Sequence, residues 1–210
     1  SLVGSEMCIR DRIFTAPPTL INGLIPGSFY ASSSNGSPEN FATYISSANG
    51  VEVFTAYTPF PAAGGANNQT HSLNNGTVTV TGPVLSNALR IANSTINLGA
   101  NTLTFNGNAG MVLAFGNSTI NGGTLNFGST PARISVDATM TINGNLVTSG
   151  GLNKFGNGTL ILSSATVSGG YQISQGAIVL GSAAAFTSDQ SLTLGISSVL
   201  DLGNNGTAAA

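Results

Sequence analysis

From about residue 74 to residue 206, apolar and polar positions alternate one for one in short bursts. Thr77-Val78-Thr79-Val80, Thr102-Leu103-Thr104-Phe105, Thr124-Leu125-Asn126-Phe127, Arg133-Ile134-Ser135-Val136 and Thr159-Leu160-Ile161-Leu162 are examples. A period of two with β-branched residues and Thr is the strand signal, because successive side chains of a strand point to opposite faces. Gly and Asn separate the bursts, and no stretch sustains a period of 3.6. The pattern predicts many short strands joined by tight corners, and no helix, across this region.

The bursts also repeat. Thr-Ile-Asn occurs at 95–97, 119–121 and 141–143, and Leu103, Leu125 and Leu146 follow at matching intervals. Two markers thus share a period of about 22 residues, which is the signature of a solenoid. Strands of three to five residues with Gly/Asn corners make 22 residues one three-sided coil. Residues 74–206 then supply about six coils, a stack roughly 30 Å long at about 4.8 Å per strand. The expected fold is an all-β, right-handed parallel β-helix, the hand following the general preference for right-handed crossovers. Ile96, Leu98, Leu103, Phe105, Ile120, Leu125, Phe127, Ile134, Val136, Met140, Ile142 and Leu146 are the expected interior. Asn97, Asn121 and Asn143 are expected to hydrogen-bond along the axis as a ladder. A single coil buries about five apolar side chains at roughly 1.5–3 kcal/mol each, against roughly 1–2 kcal/mol per ordered residue. Stacking therefore decides stability, and the adjoining coils are each coil's first partners.

Residues 13–73 read differently. Pro17, Pro18, Pro26, Pro38, Pro59 and Pro61 fall here, with Phe14, Phe29, Tyr30, Phe41, Tyr44, Phe54, Tyr57 and Phe60. Val51–Thr55 reads as a strand. Ser37-Pro38-Glu39 reads as the opening of a short helical turn through Phe41 and Ile45. The rest reads as irregular loop ending in the Gly/Asn run 64–68.

Composition sharpens this picture. Only 6% of the residues are charged and the net charge is −2, where soluble domains carry about 25% charged residues. Low charge suits a parallel stack, in which like residues lie over like and charge ladders would repel. It excludes a nucleic-acid binder, which needs clustered Lys and Arg. One Cys excludes a disulfide framework or a Cys-based zinc site. No apolar run is long enough for a helical membrane span, so no membrane contact is expected in this stretch. Residues 1–12, SLVGSEMCIRDR, hold Cys8 and the charges Glu6, Arg10, Asp11 and Arg12. This break in composition resembles translated sequencing-adapter read-through and is set aside as non-native. With the unmarked stop at 207–210, the chain reads as a window on a longer protein.

Residues 151–181, GLNKFGNGTLILSSATVSGGYQISQGAIVLG, resemble the autotransporter-associated β-strand repeat. Gly151, Leu152, Lys154, Gly156, Gly158, Thr159, Leu160, Leu162 and Ser163 match the first half of that pattern. Gly169, Gly170, Ile173, Gly176, Leu180 and Gly181 match the second, with Ile178 where Leu is usual and Val167 where an aromatic is common. The resemblance implies a β-helix in the passenger of a secreted or surface-displayed protein, outer-membrane-associated in a Gram-negative bacterium and exported behind a signal. It implies no catalytic activity. The expected role is structural: a rigid stalk that supports adhesion, with surface glycans or other cell-surface proteins as partners. Two alternatives stand beside it. The aromatic region 29–60 is a candidate glycan- or protein-binding module, and the coils are a candidate scaffold of a carbohydrate-active enzyme.

Candidate chemistry is sparse. The solenoid holds three acids, Asp137, Asp189 and Asp201, and three bases, Arg90, Arg133 and Lys154. Glycosidases need paired carboxylates and lyases an acid beside a base. Asp189 and Asp201 are spaced for different sides of a coil. Arg133 and Asp137 share a strand face and read as an exposed ion pair. His71 is the one histidine and reads as a solvated loop residue; Lys154 reads as a packed or corner lysine. The Thr-x-Thr pairs 77/79, 102/104 and 139/141 read as ordinary outer strand faces, with Asn126 interrupting the series. The calcium β-roll nonapeptide is absent. No catalytic, cofactor-binding or metal residue is assigned, and no enzyme or cofactor is expected.

Overall fold

The computed structural model describes residues 16–31, 39–46, 50–105, 109–184 and 190–203. The expectations for residues 1–12 and 207–210, for Ser37 and Pro38 and for Asp189 lie outside them. Strands β1 (Phe29–Tyr30), β2 (Asn40–Ser46) and β3 (Gly50–Val53) form an antiparallel sheet. From there the chain winds as a parallel β-solenoid of about six turns. Its opening strands are β4 (Thr58–Pro59), β5 (Gly64–Gly65), β6 (Thr70–Asn74), β7 (Thr77–Thr79), β8 (Val84–Ser86) and β9 (Ala88–Ala92). Long and short strands then alternate. They are β10 (Thr95–Phe105), β11 (Met111–Phe115), β12 (Ser118–Gly128), β13 (Ala132–Val136), β14 (Thr139–Thr148), β15 (Leu152–Phe155) and β16 (Thr159–Val167). β17 (Tyr171–Ile173), β18 (Gly176–Ala184), β19 (Leu192–Leu194) and β20 (Ser198–Asp201) complete the order.

The short strands stack into one eight-stranded parallel sheet, β4-β6-β9-β11-β13-β15-β17-β19. The long ones stack into a nine-stranded sheet, in which β7 and β8 lie under the two halves of β10. Each long strand covers two sides of a coil, and in β10, β12, β14 and β18 glycine lies at the bend. Gly99 and Gly122 are register partners at that corner, and Gly122 has φ +66. A Cβ on Gly122 would lie 2.7 Å from the Gly99 carbonyl oxygen. Only glycine allows the backbones to approach this closely at a positive φ.

The register makes the repeat explicit. Thr70, Ala88, Met111, Arg133, Asn153, Gln172 and Thr193 lie above one another, so a coil takes 18 to 23 residues. Parallel pairing already begins at Thr58, which pairs with His71, inside the stretch whose sequence reads as irregular. Inward columns run Ile96–Ile120–Ile142–Leu162–Leu180 and Val84–Leu103–Leu125–Leu146. Every residue named above as expected interior is at most 1% exposed. Phe105 and Phe127 stack with centroids 4.5 Å apart and planes 14° apart. Like-on-like packing of rings is what equal coil spacing produces.

Side chains from the described residues of 16–57 pack on the outer face of the short-strand sheet. Leu24, Phe41 and Phe54 pack with Ala88, Ala109, Met111 and Leu113 in one cluster, and Phe29 meets Phe155 at 5.6 Å. The expected helical turn through Phe41 and Ile45 is instead β2. Ala42 and Tyr44 pair with Val53 and Val51, so cross-strand pairing overrides the local helix signal. The strand expected at Val51 is present as β3.

Candidate functional site

The outer surface of the solenoid has three sides, and they differ. The short-strand side is occupied. Arg90 Nε donates to the Glu39 carbonyl at 2.6 Å, and the Arg90 guanidinium lies 5.9 Å from the Tyr57 ring centre. The Tyr57 hydroxyl donates to Asn40 Oδ1 and accepts from Phe41 N–H. Burial raises its pKa above the usual tyrosine value, against the lowering effects of that backbone bond and of Arg90. Gly27 N–H donates to Met111 Sδ at 3.3 Å. Within the aromatic region 29–60, Tyr30, Phe41, Tyr44, Phe54 and Phe60 are buried.

The side formed by the first halves of the long strands is open and neutral. Its outward positions form two columns, Thr77–Thr95–Thr119–Thr141 and Thr79–Asn97–Asn121, which Asn143 continues. Asn121 Nδ2 donates to Asn97 Oδ1 and Asn143 Nδ2 to Asn121 Oδ1, both at 2.9 Å. Ser163 Oγ extends the ladder by donating to Asn143 Oδ1. The expected Asn ladder is therefore present. The Thr-x-Asn triplets, rather than the Thr-x-Thr pairs, form the continuous array. On the adjacent side Thr104 pairs with Asn126 and then Val147, which breaks the hydroxyl column.

A lysine and a histidine sit inside the coil. Lys154 lies in an inward column, between Ile134 and Ile173, and is fully buried. Its Nζ donates to the carbonyls of Phe155 (2.9 Å), Gly156 (2.6 Å) and Gln175 (3.2 Å). Two acceptors come from its own coil and the third from the next, so the ammonium ties two coils at a corner. Burial pulls its pKa down to about 8. This is the packed corner lysine the sequence suggests.

His71 is not a solvated loop residue. It lies in β6, pairs with Leu89, and is 1% exposed. Its Nδ1 is 2.8 Å from Ser86 Oγ, and burial lowers its pKa below 6.5. The signal for this was the coil spacing. Continued one coil toward the N-terminus, the inward column of Leu89 reaches His71, through a coil shorter than the 22-residue period. Arg133 is half-buried rather than exposed. Its Nη1 donates to the Ala109 carbonyl at 3.0 Å, Gly27 packs against its side chain, and burial lowers its pKa.

Asp137 follows β13, whereas Asp201 ends β20 and accepts from Gly203 N–H. They are three coils apart, about 14 Å along the axis, beyond the roughly 5–9.5 Å of a glycosidase pair. Among the described residues no three His, Cys, Asp or Glu side chains converge, and no helix is long and apolar enough to cross a membrane. Comparison with protein-family models, with curated proteins and with solved structures found no match for the chain.

Proposed function

We propose that this chain is a structural segment of a secreted or surface-displayed bacterial protein of autotransporter-like type, a rigid stalk that carries adhesive parts away from the cell. The observation that carries this reading is the parallel stack of coils, in which like residues lie over like between the corners. Apolar columns fill its interior, and neutral Thr and Asn ladders face outward. Such a stack gains stability from each neighbouring coil and transmits load along its axis through parallel strand pairing. Residues 151–181, which resemble the autotransporter-associated repeat, occupy β15, β16, β17 and most of β18 and continue the same stack. Burial of the aromatic rings between residues 29 and 60 favours the stalk over a binding module, because a glycan-binding face presents its rings to solvent.

The test is surface labelling. Antibodies against the folded segment should stain intact cells that express the native full-length gene, and external protease should remove the stain. Staining only after lysis would overturn the proposal.

A further inference from the structure

We infer that the first rung of the solenoid is an acid-releasable cap: when His71 takes a proton inside the core, β4 and β5 leave the stack and uncover the edges of β6 and β8. The inference rests on the fold and not on the stalk reading.

The ring is enclosed from four sides. Phe60, just after β4, meets it edge-on at 6.0 Å and 77°. A Cβ on Gly65 of β5 would lie 3.1 Å from its Cε1. Ser86 of β8 contacts Nδ1, and Leu89 of β9 is its register partner. None of these residues is charged or titratable. Ser86 Oγ has one proton, and its acceptors are the carbonyls of Ala88 (2.8 Å) and Gln69 (3.4 Å). With Nδ1–H as the donor of the 2.8 Å bond, the hydroxyl proton is free for one of these carbonyls; this arrangement satisfies both groups and leaves Nε2 bare in the neutral ring. Protonation places a second N–H at Nε2, where no acceptor is found among the described residues. Lys154 shows the contrast: its buried charge has three carbonyls.

The rung that must move is the weakest in the stack. β4 holds β6 through Thr58 and Pro59, and β5 holds β8 through Gly64 and Gly65. The supporting bonds are Phe60 N–H to Ser72 O, Gly64 N–H to Pro83 O and Thr81 N–H to Ala62 O. β10 and β12, by comparison, share seven register pairs. A short terminal rung opens locally without unfolding the remainder. The sign follows from linkage. Burial lowers the pKa of the enclosed ring below 6.5, and release restores the ordinary value. The closed cap is fully favoured above pH 6.5. Below it, the open-to-closed ratio grows by up to about tenfold per pH unit, until the enclosed ring itself protonates.

With one histidine in the chain, its ring resonances titrate alone in an NMR spectrum. The expected midpoint lies below 6.5. Hydrogen exchange of residues 58–66 is then compared between the wild type and His71→Leu at matched pH. Equal protection at pH 7, and at pH 5 faster exchange of the wild type by up to about tenfold per pH unit below 6.5, is expected. Residues 111–136 should be unchanged. A ring midpoint at or above 6.5, or equal protection of both proteins at pH 5, overturns the inference. Should His71→Leu fail to fold, the wild-type titration, read beside wild-type exchange corrected for intrinsic rates, decides alone.

Discussion

Replacing Lys154 by Met tests how a neutral solenoid tolerates one buried ammonium. The substitution keeps the length of the stem and removes three donors. It leaves the carbonyls of Phe155, Gly156 and Gln175 without the group that now holds them. Hydrogen bonds to a charged group contribute about 1.5–3 kcal/mol each, and an abandoned buried carbonyl costs about 1–3 kcal/mol. Against this, Met packs well between Ile134 and Ile173 and needs no desolvation of a charge. The expected net loss at pH 7 is about 2–4 kcal/mol, read as a lower guanidinium midpoint.

The same residue sets a pH dependence. Its pKa is about 8 in the fold against 10.5 when free, so between these values the unfolded chain binds more protons. Wild-type stability should be flat between about pH 7 and 8 and rise above it, approaching about 1.4 kcal/mol per pH unit. The useful window closes near pH 9.5. Above it the tyrosines of the unfolded chain ionise, while Tyr171, raised to about 12 by burial, holds its proton and reverses the slope. Lys154→Met should show no rise between pH 8 and 9.5. The reasoning fails if wild-type stability is level across that window, or if the Met variant equals the wild type at pH 7.

Other substitutions probe the remaining devices. Asn121→Ala removes the ladder member bonded to both Asn97 and Asn143 and should cost about 1–2 kcal/mol in the same denaturation assay. Gly122→Ala combines a positive φ with a Cβ 2.7 Å from Gly99 O. It should destabilise by about 1–3 kcal/mol or more, with loss of hydrogen-exchange protection centred on β10 and β12. Ser135→Ala should be neutral or stabilising, since Ser135 Oγ is buried without a hydrogen-bond partner and nothing is lost with it. A melting temperature lowered by several degrees would contradict that.

Much of this molecule follows from side-chain alternation and one repeat length. Period-two alternation fixes which residues face inward, and equal spacing places Ile over Ile, Phe over Phe and Asn over Asn. The interior columns and the Asn ladder were therefore legible before any coordinates. Both depend only on positions that recur. What the tertiary structure alone decided is everything that does not recur. The Phe41–Ile45 stretch became a strand because β3 was there to pair with it. The segment 16–57 found its place because β11, Met111-Val112-Leu113-Ala114-Phe115, is apolar on both faces. That continuous run is the mark of a strand covered on two sides, yet it does not say by what. Lys154 and His71 show the same division. Their columns could be counted from the repeat, but their chemistry could not. One cation meets three carbonyls from two coils, and one imidazole meets a single hydroxyl beneath the terminal rung. Those partners lie up to 21 residues away along the chain, and only the closed coil brings them within hydrogen-bond distance.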